Sequence, residues 1–244
     1  MRMLAFAERN VKEIVRDPLS VIFGVGFPVV LLLMIHLLKS SLAAVPGELF
    51  PMQTFAPGMA MFGLSFLSLF LGMLVAGDRE SSFLMRIYAS PLKSVDYIFG
   101  YSLPMIPVAA VQTAVCFAVS VLLGLEFSWR ILSAMAALLP AALLFIMLGM
   151  LLGSLLSNRQ VGGISSVVVN VAMWLSGVWF DLEMIGGTFA KICRLLPFSH
   201  AVDAASAALN GDGAAVLGHL LWVLGYAAVI GALAVAVFRK KMKG

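Results

Sequence analysis

Apolar residues fill six long stretches of the chain, at 18–38, 57–77, 97–123, 131–156, 162–180 and 217–238, and most of the charge falls between them. A hydrocarbon core of about 30 Å takes roughly 20 helical residues to cross. Each stretch meets that length, 162–180 with least to spare. Lipid leaves backbone groups without water, so the segments must be helices or strands of a closed barrel. Barrel strands alternate apolar and polar residues, whereas Val29–Leu33 and Leu143–Leu148 are apolar throughout. The pattern predicts an all-α integral membrane protein with six transmembrane helices in one domain spanning 1–244.

The intervening segments predict three further elements. Residues 1–17 form an amphipathic interfacial helix: Leu4, Val11, Ile14 and Val15 share a face, most charges fall elsewhere, and Asp17-Pro18 ends it. The 77–96 gap has helical character from Arg79 to Tyr88, with Phe83, Ile87 and Tyr88 near one face, and Ser90-Pro91 stops it. The gap 181–216 is too apolar for a free loop. It predicts one or two short re-entrant helices, broken at Gly186-Gly187 and turned at 210–213. Within the spans, Pro28, Pro104, Pro107 and Pro140 predict kinks. Gly149, Gly153 and Ser157 form a small-residue ridge suited to close helix packing, favoured within the subunit over a dimer face.

Composition agrees: 62% of residues are hydrophobic and 11% charged, with mean hydropathy +1.05. The net charge of +4 says less than its distribution. Six crossings put on one side Arg2, Arg9, Lys12, Arg16, Arg79, Arg86, Lys93, Arg159, Arg239, Lys240, Lys241 and Lys243; only Lys39, Arg130, Lys191 and Arg194 fall on the other. The positive-inside rule then places both termini in the cytoplasm. No nucleic-acid partner is implied. Cys116 and Cys193 lie in different regions, and no intrachain disulfide is expected.

No acidic or basic residue lies within the six stretches. Ion-coupled carriers usually need such groups at membrane depth, which argues against a proton-driven transporter. The fifth stretch carries Ser165, Ser166 and Asn170, which could glue helices or line a translocation pathway. The chain lacks a GxxxxGK[ST] phosphate loop, an HExxH pair and a GxSxG elbow. His200 and Asp203 could polarise Ser199 or Ser206, but capping and surface hydrogen bonds explain them better. No metal site, no bound cofactor and no catalytic residue is expected of this chain.

Asp78-Arg79-Glu80-Ser81, Arg86 and Ser90-Pro91-Leu92 resemble the cytoplasmic signature of the ATP-binding-cassette type-2 (ABC-2) permeases. Leu196-Pro197-Phe198-Ser199-His200-Ala201-Val202-Asp203-Ala204 resembles the stretch before that family's last span. Ser82 and Phe83 stand where the family usually has Gly-Thr, and Met85 where Glu is common. The resemblance implies the membrane subunit of an ATP-driven exporter in the bacterial cytoplasmic membrane. It implies a second permease copy or related subunit, and two separate ATPase subunits that carry the ATP and Mg. The cargo expected is amphiphilic or hydrophobic, such as a drug, antibiotic, peptide or lipid. A coupling helix over 78–92 would use Asp78, Arg79, Glu80, Phe83, Arg86, Ile87 and Pro91 to contact the ATPase. The rival expectation is an ATP-independent secondary transporter or channel.

Overall fold

A computed structural model describes residues 2–18, 22–41, 50–81, 94–180 and 182–242. Among these residues the regular elements are all helical. In chain order they are α1 (Arg2–Arg16), a π-helical turn (Ile22–Gly26) running into α2 (Phe27–Ser41), α3 (Met52–Glu80), α4 (Ser94–Ser102), α5 (Met105–Leu122), α6 (Arg130–Ala137), α7 (Leu139–Leu155), α8 (Asn158–Trp174), α9 (Leu182–Ile185), α10 (Gly187–Leu195), α11 (Pro197–Asn210) and α12 (Gly213–Met242). Among the described residues, five stretches are long and apolar enough to cross a membrane: Ile22–Ser41, Met52–Glu80, Asp96–Leu122, Arg130–Leu155 and Gly213–Lys240.

The helix limits depart from the apolar windows for local reasons. The π turn sits just before Pro28, which has no N–H to donate to the carbonyl four residues back and whose ring crowds that carbonyl, widening the preceding turn. The third stretch divides into α4 and α5 at Leu103-Pro104, while Pro107 falls in the first turn of α5, where its missing N–H costs little. The fourth divides into α6 and α7 at Leu138, and Pro140 opens α7. The fifth is a shorter helix than expected. A capping box between Ser157 and Gln160 starts α8 early. Gly177, at φ +79°, turns the chain soon after Trp174. With 17 residues, α8 is about 26 Å long at 1.5 Å per residue.

Helix α3 is the axis of the bundle, and nearly every side chain from Phe55 to Leu67 is buried. In lipid, apolar surface alone does not drive helices together, so close backbone approach carries the packing. The small-residue ridge of α7 provides it within the subunit. A Cβ on Gly149 would lie 2.7 Å from the Ser68 carbonyl oxygen of α3, and one on Gly153 2.5 Å from that of Gly72. Ser157 is not part of this ridge; it caps α8. On other faces of α3, a Cβ on Gly58 would fall 2.1 Å from Val178, and one on Gly63 1.9 Å from the buried amide of Gln112 on α5.

Contacts along α3 fix the run of its neighbours. The backbone N–H of Asn158 meets Glu80 at one end of α3, and Trp179 stands edge-on to Phe55 near the other. Residues 158–179 therefore run the length of α3, antiparallel to it. Tyr97 of α4 touches both Phe6 of α1 and Phe238 near the end of α12. The first and last helices thus meet at one end of the bundle. The 181–216 region, apart from Asp181, holds three helices, one or two having been predicted. The last of them, α11, buries Pro197, Ser199, Ala201, Val202, Ala204, Ala205 and Ala208 against α6, α12 and α3. Gly186 and Gly211, both at positive φ, end α9 and α11 at the predicted breaks. Arg130 packs on Gly211 and donates to the Asn210 carbonyl at 3.2 Å.

Gly153→Val should force α3 and α7 apart, because the new side chain meets backbone. The expected loss is about 1–3 kcal/mol, read as a lower melting temperature in detergent. Gly225→Ala, with open space around it, should be neutral or stabilising by up to about 1 kcal/mol. Equal effects would contradict the close α3–α7 contact.

Candidate functional site

At the end of α3 three consecutive residues point in three directions, since helix neighbours are separated by about 100°. Asp78 turns inward, and its side chain is only 7% exposed. Arg9 of α1 grips both its oxygens, with Nη2 donating to Oδ1 at 2.8 Å and Nη1 to Oδ2 at 2.5 Å. The Tyr101 hydroxyl of α4 donates to Oδ2 at 2.8 Å. Arg79 reaches the other way and donates to the Ser154 and Leu156 carbonyls, which the end of α7 leaves without helical partners. Glu80 accepts the Asn158 N–H at the start of α8 at 2.9 Å. One turn of helix thus ties α3 to α1, α4, α7 and α8.

The α1–α4 contact completes the hub. Asn10, wholly buried, donates to the Gly100 carbonyl at 2.9 Å and accepts from Arg9 at 2.8 Å. Phe6 stands edge-on to Tyr101 with ring centres 4.9 Å apart. Gly100 permits this approach, because a Cβ there would come within 2.3 Å of Phe6. Among the described side chains of α1, Phe6, Ala7, Asn10 and Ile14 are buried, while Val11, on the expected apolar face, is exposed; Leu4 and Val15 of that face lie outside the described side chains. The prediction missed Asn10 because a polar residue on an apolar face reads as a break in the pattern. That stripe packs against α4.

Electrostatics support the Arg9–Asp78 pair over the other charges of α1. Burial alone would lower the Arg9 pKa, but the bond and charge of Asp78, with the charge of Glu13, outweigh it and raise the pKa above the ordinary arginine value. Raised in the fold, it contributes fully below the ordinary arginine pKa, and that contribution is lost only as pH rises through the still higher folded value. The Lys12–Glu8 pair is exposed on both sides and adds little.

The remaining predicted residues are distributed as follows. Phe83, Arg86, Ile87 and Pro91 lie outside the described residues, in the segment joining the hub to α4. Ser165 is on the buried face of α8 with Val161, Val169, Ala172 and Met173, and its hydroxyl meets no hydrogen-bond partner. Ser166 and Asn170 are on the exposed face; Ser166 donates to the Gly162 carbonyl and Asn170 to that of Ser166. The three polar residues do not converge. Ser199 donates to the Cys193 carbonyl, and the His200 ring contacts His219 and the Arg194 carbonyl. Cys116 and Cys193 are buried and unpaired.

Among the described residues, five apolar helical stretches of membrane-crossing length define a multi-pass membrane protein, and a polar hub ties α3 to α1, α4, α7 and α8 at one end. A family model for ABC-2 type transporters matches residues 1–210, from the start of the chain through α11, and the chain belongs to that family. It is a membrane transport subunit of the ABC type and not itself an ATPase. No curated protein matches it closely enough to add to this.

Asp78→Ala should take from Arg9 its buried carboxylate partner. Loss of one member of a fully buried pair costs about 3–5 kcal/mol. Arg9 is still 31% exposed, so solvent screening reduces the expected cost to about 1–3 kcal/mol. In a thermal-unfolding cycle, Arg9→Ala with Asp78→Ala should cost clearly less than the two single changes summed. Additive losses would remove the pair from the hub.

Proposed function

We propose that the chain is the permease half of an ATP-driven exporter, and that an ABC ATPase drives it through the segment beginning at the hub. One observation carries this reading. The segment 82–93 leaves from Ser81, directly after the three anchoring residues of α3, and returns at Ser94 into α4, whose Tyr101 binds the same carboxylate. A force applied between those ends reaches α1, α3, α4, α7 and α8 without passing through a loose connection. Asp78 and Arg79 are its anchors. Glu80 and Arg86 offer charge to the ATPase, Phe83 and Ile87 an apolar face, and Pro91 ends the coupling helix. ATP and Mg reside on two separate ATPase subunits, and this chain binds no nucleotide of its own.

The reading includes six crossings, with residues 158–180 as the fifth. Support comes from their course along the whole of α3 and from the meeting of the first and last helices at one end. That end is rich in Arg and Lys, which favours cytoplasmic termini in a bacterial plasma membrane. A second permease, identical or related, covers the exposed face of α8. Gly162, Gly163, Ser166 and Asn170 would be poor partners for lipid. Ser166 and Asn170 there border the translocation pathway, with Ser165 behind them at the α3 contact. An uncharged route suits an amphiphilic or hydrophobic cargo.

Arg86→Ala with Ile87→Ser should cut export and cargo-stimulated ATP turnover in proteoliposomes by at least about tenfold, since charged and apolar anchors dominate protein interfaces. The melting temperature of the permease alone should not change. Wild-type export by this variant would overturn the coupling assignment. Transport by the chain alone, without ATPase or ATP, would favour a secondary transporter or channel.

A further inference from the structure

At the end of the bundle opposite the hub, α11 and α12 bring His200, Asp203 and His219 together. His200 and Asp203 lie three residues apart on one helix face, and His219 comes from the neighbouring helix. The Nδ1 atoms of His200 and His219 are 2.7 Å apart, and the ligand atoms of all three side chains lie within 4.8 Å of one another. The Nε2 of His200 is 2.8 Å from the Arg194 carbonyl oxygen. A carbonyl can only accept, so Nε2 carries the proton, and in the neutral ring the lone pair is on Nδ1, aimed at His219. A second ring nitrogen held by a backbone carbonyl is how metal-ligating histidines are usually oriented. The surroundings are braced as well. Trp222 lies 5.3 Å from the His200 ring, and both Trp222 and Tyr226 donate to the Leu195 carbonyl, fixing the turn before α11 on α12.

We propose that His200 Nδ1, His219 Nδ1 and a carboxylate oxygen of Asp203 form a binding site for a divalent transition cation of the zinc class, with water as fourth ligand. Two imidazoles and one carboxylate suit zinc, whereas calcium and magnesium prefer all-oxygen shells. Bonds of about 2.0–2.1 Å in a tetrahedron set ligand atoms roughly 3.3 Å apart. The two ring nitrogens would open by about 0.6 Å and the carboxylate would close in, both within the reach of side-chain torsions. The cation replaces the single proton that the two Nδ1 atoms share, and that proton is released. Bound there, it staples α11 to α12.

Zinc titration of the purified full chain in nanodiscs, against a competing fluorescent indicator, tests this. The expected result is one zinc per chain. His219→Ala and Asp203→Asn should each weaken binding by at least about tenfold, and His36→Ala, at the remaining histidine, should leave it unchanged. Cobalt in place of zinc should show the visible absorption of a tetrahedral site, lost in the same variants. Zinc should raise the melting temperature of the wild type but not of Asp203→Asn, which keeps both rings and shows whether the fold is intact. No binding by the wild type, or unchanged affinity in the His200→Ala, His219→Ala double variant, would reduce the cluster to a hydrogen-bonded pair bracing two helices.

Discussion

A carboxylate at the end of a long apolar helix must be paired or hydrated, because burial without a partner is costly. Asp78 is paired. Its oxygens receive two bonds from Arg9 and one from Tyr101, contributed by helices before and after α3. This one group fixes where α1 sits and how α4 enters the bundle. Arg79 and Glu80 extend the same constraint to α7 and α8 by satisfying backbone groups at helix ends. The hub is a set of helix termini closed by charged side chains, held at the mouth of an apolar bundle.

Two kinds of force divide the molecule. Along α3 the packing is steric: glycines at 58, 63, 72, 149 and 153 let backbone or side chain approach to distances that any Cβ would block. Such contacts are specific in lipid, where apolar side chains gain nothing by leaving it. At the two ends the packing is polar. One end has the Arg9–Asp78 hub, and the other has Arg130 on Gly211 and the His200–His219 pair. A steric centre closed by polar contacts at its ends suits a transport subunit whose helices tilt together.

Much of the architecture was legible in the sequence because a membrane helix is a long apolar run and little else mimics one. The limits of the helices were less legible. They are set by Ser157 and Gln160, by Gly177 at positive φ, and by a last charged turn on α3, all at the edges of the apolar windows or beyond them. The site was half legible. Asp78, Arg79 and Glu80 stood out as a motif, but their partners did not: Arg9 is 69 residues away in sequence from Asp78, and nothing local marks the pairing. Asn10, a polar residue on the apolar stripe of α1, was the available signal. Ser165, Ser166 and Asn170 read as one polar group, although adjacent residues differ by about 100° around a helix, and the fold sends Ser165 inward and the other two outward. His219 joins His200 only through the α11–α12 contact.

The proposed coupling requires the hub to move as one body when an ATPase acts on the segment beside it. Pulsed electron–electron distance measurement between spin labels at Glu13 and Arg159, both exposed, tests it on the assembled transporter in nanodiscs. One label reports α1 and the other the start of α8. The account predicts the same distance within a subunit in nucleotide-free and ATP-trapped states, with a changed distance between the Arg159 positions of the two permeases. A within-subunit distance that shifts on ATP trapping, while the distance between permeases stays fixed, would contradict it.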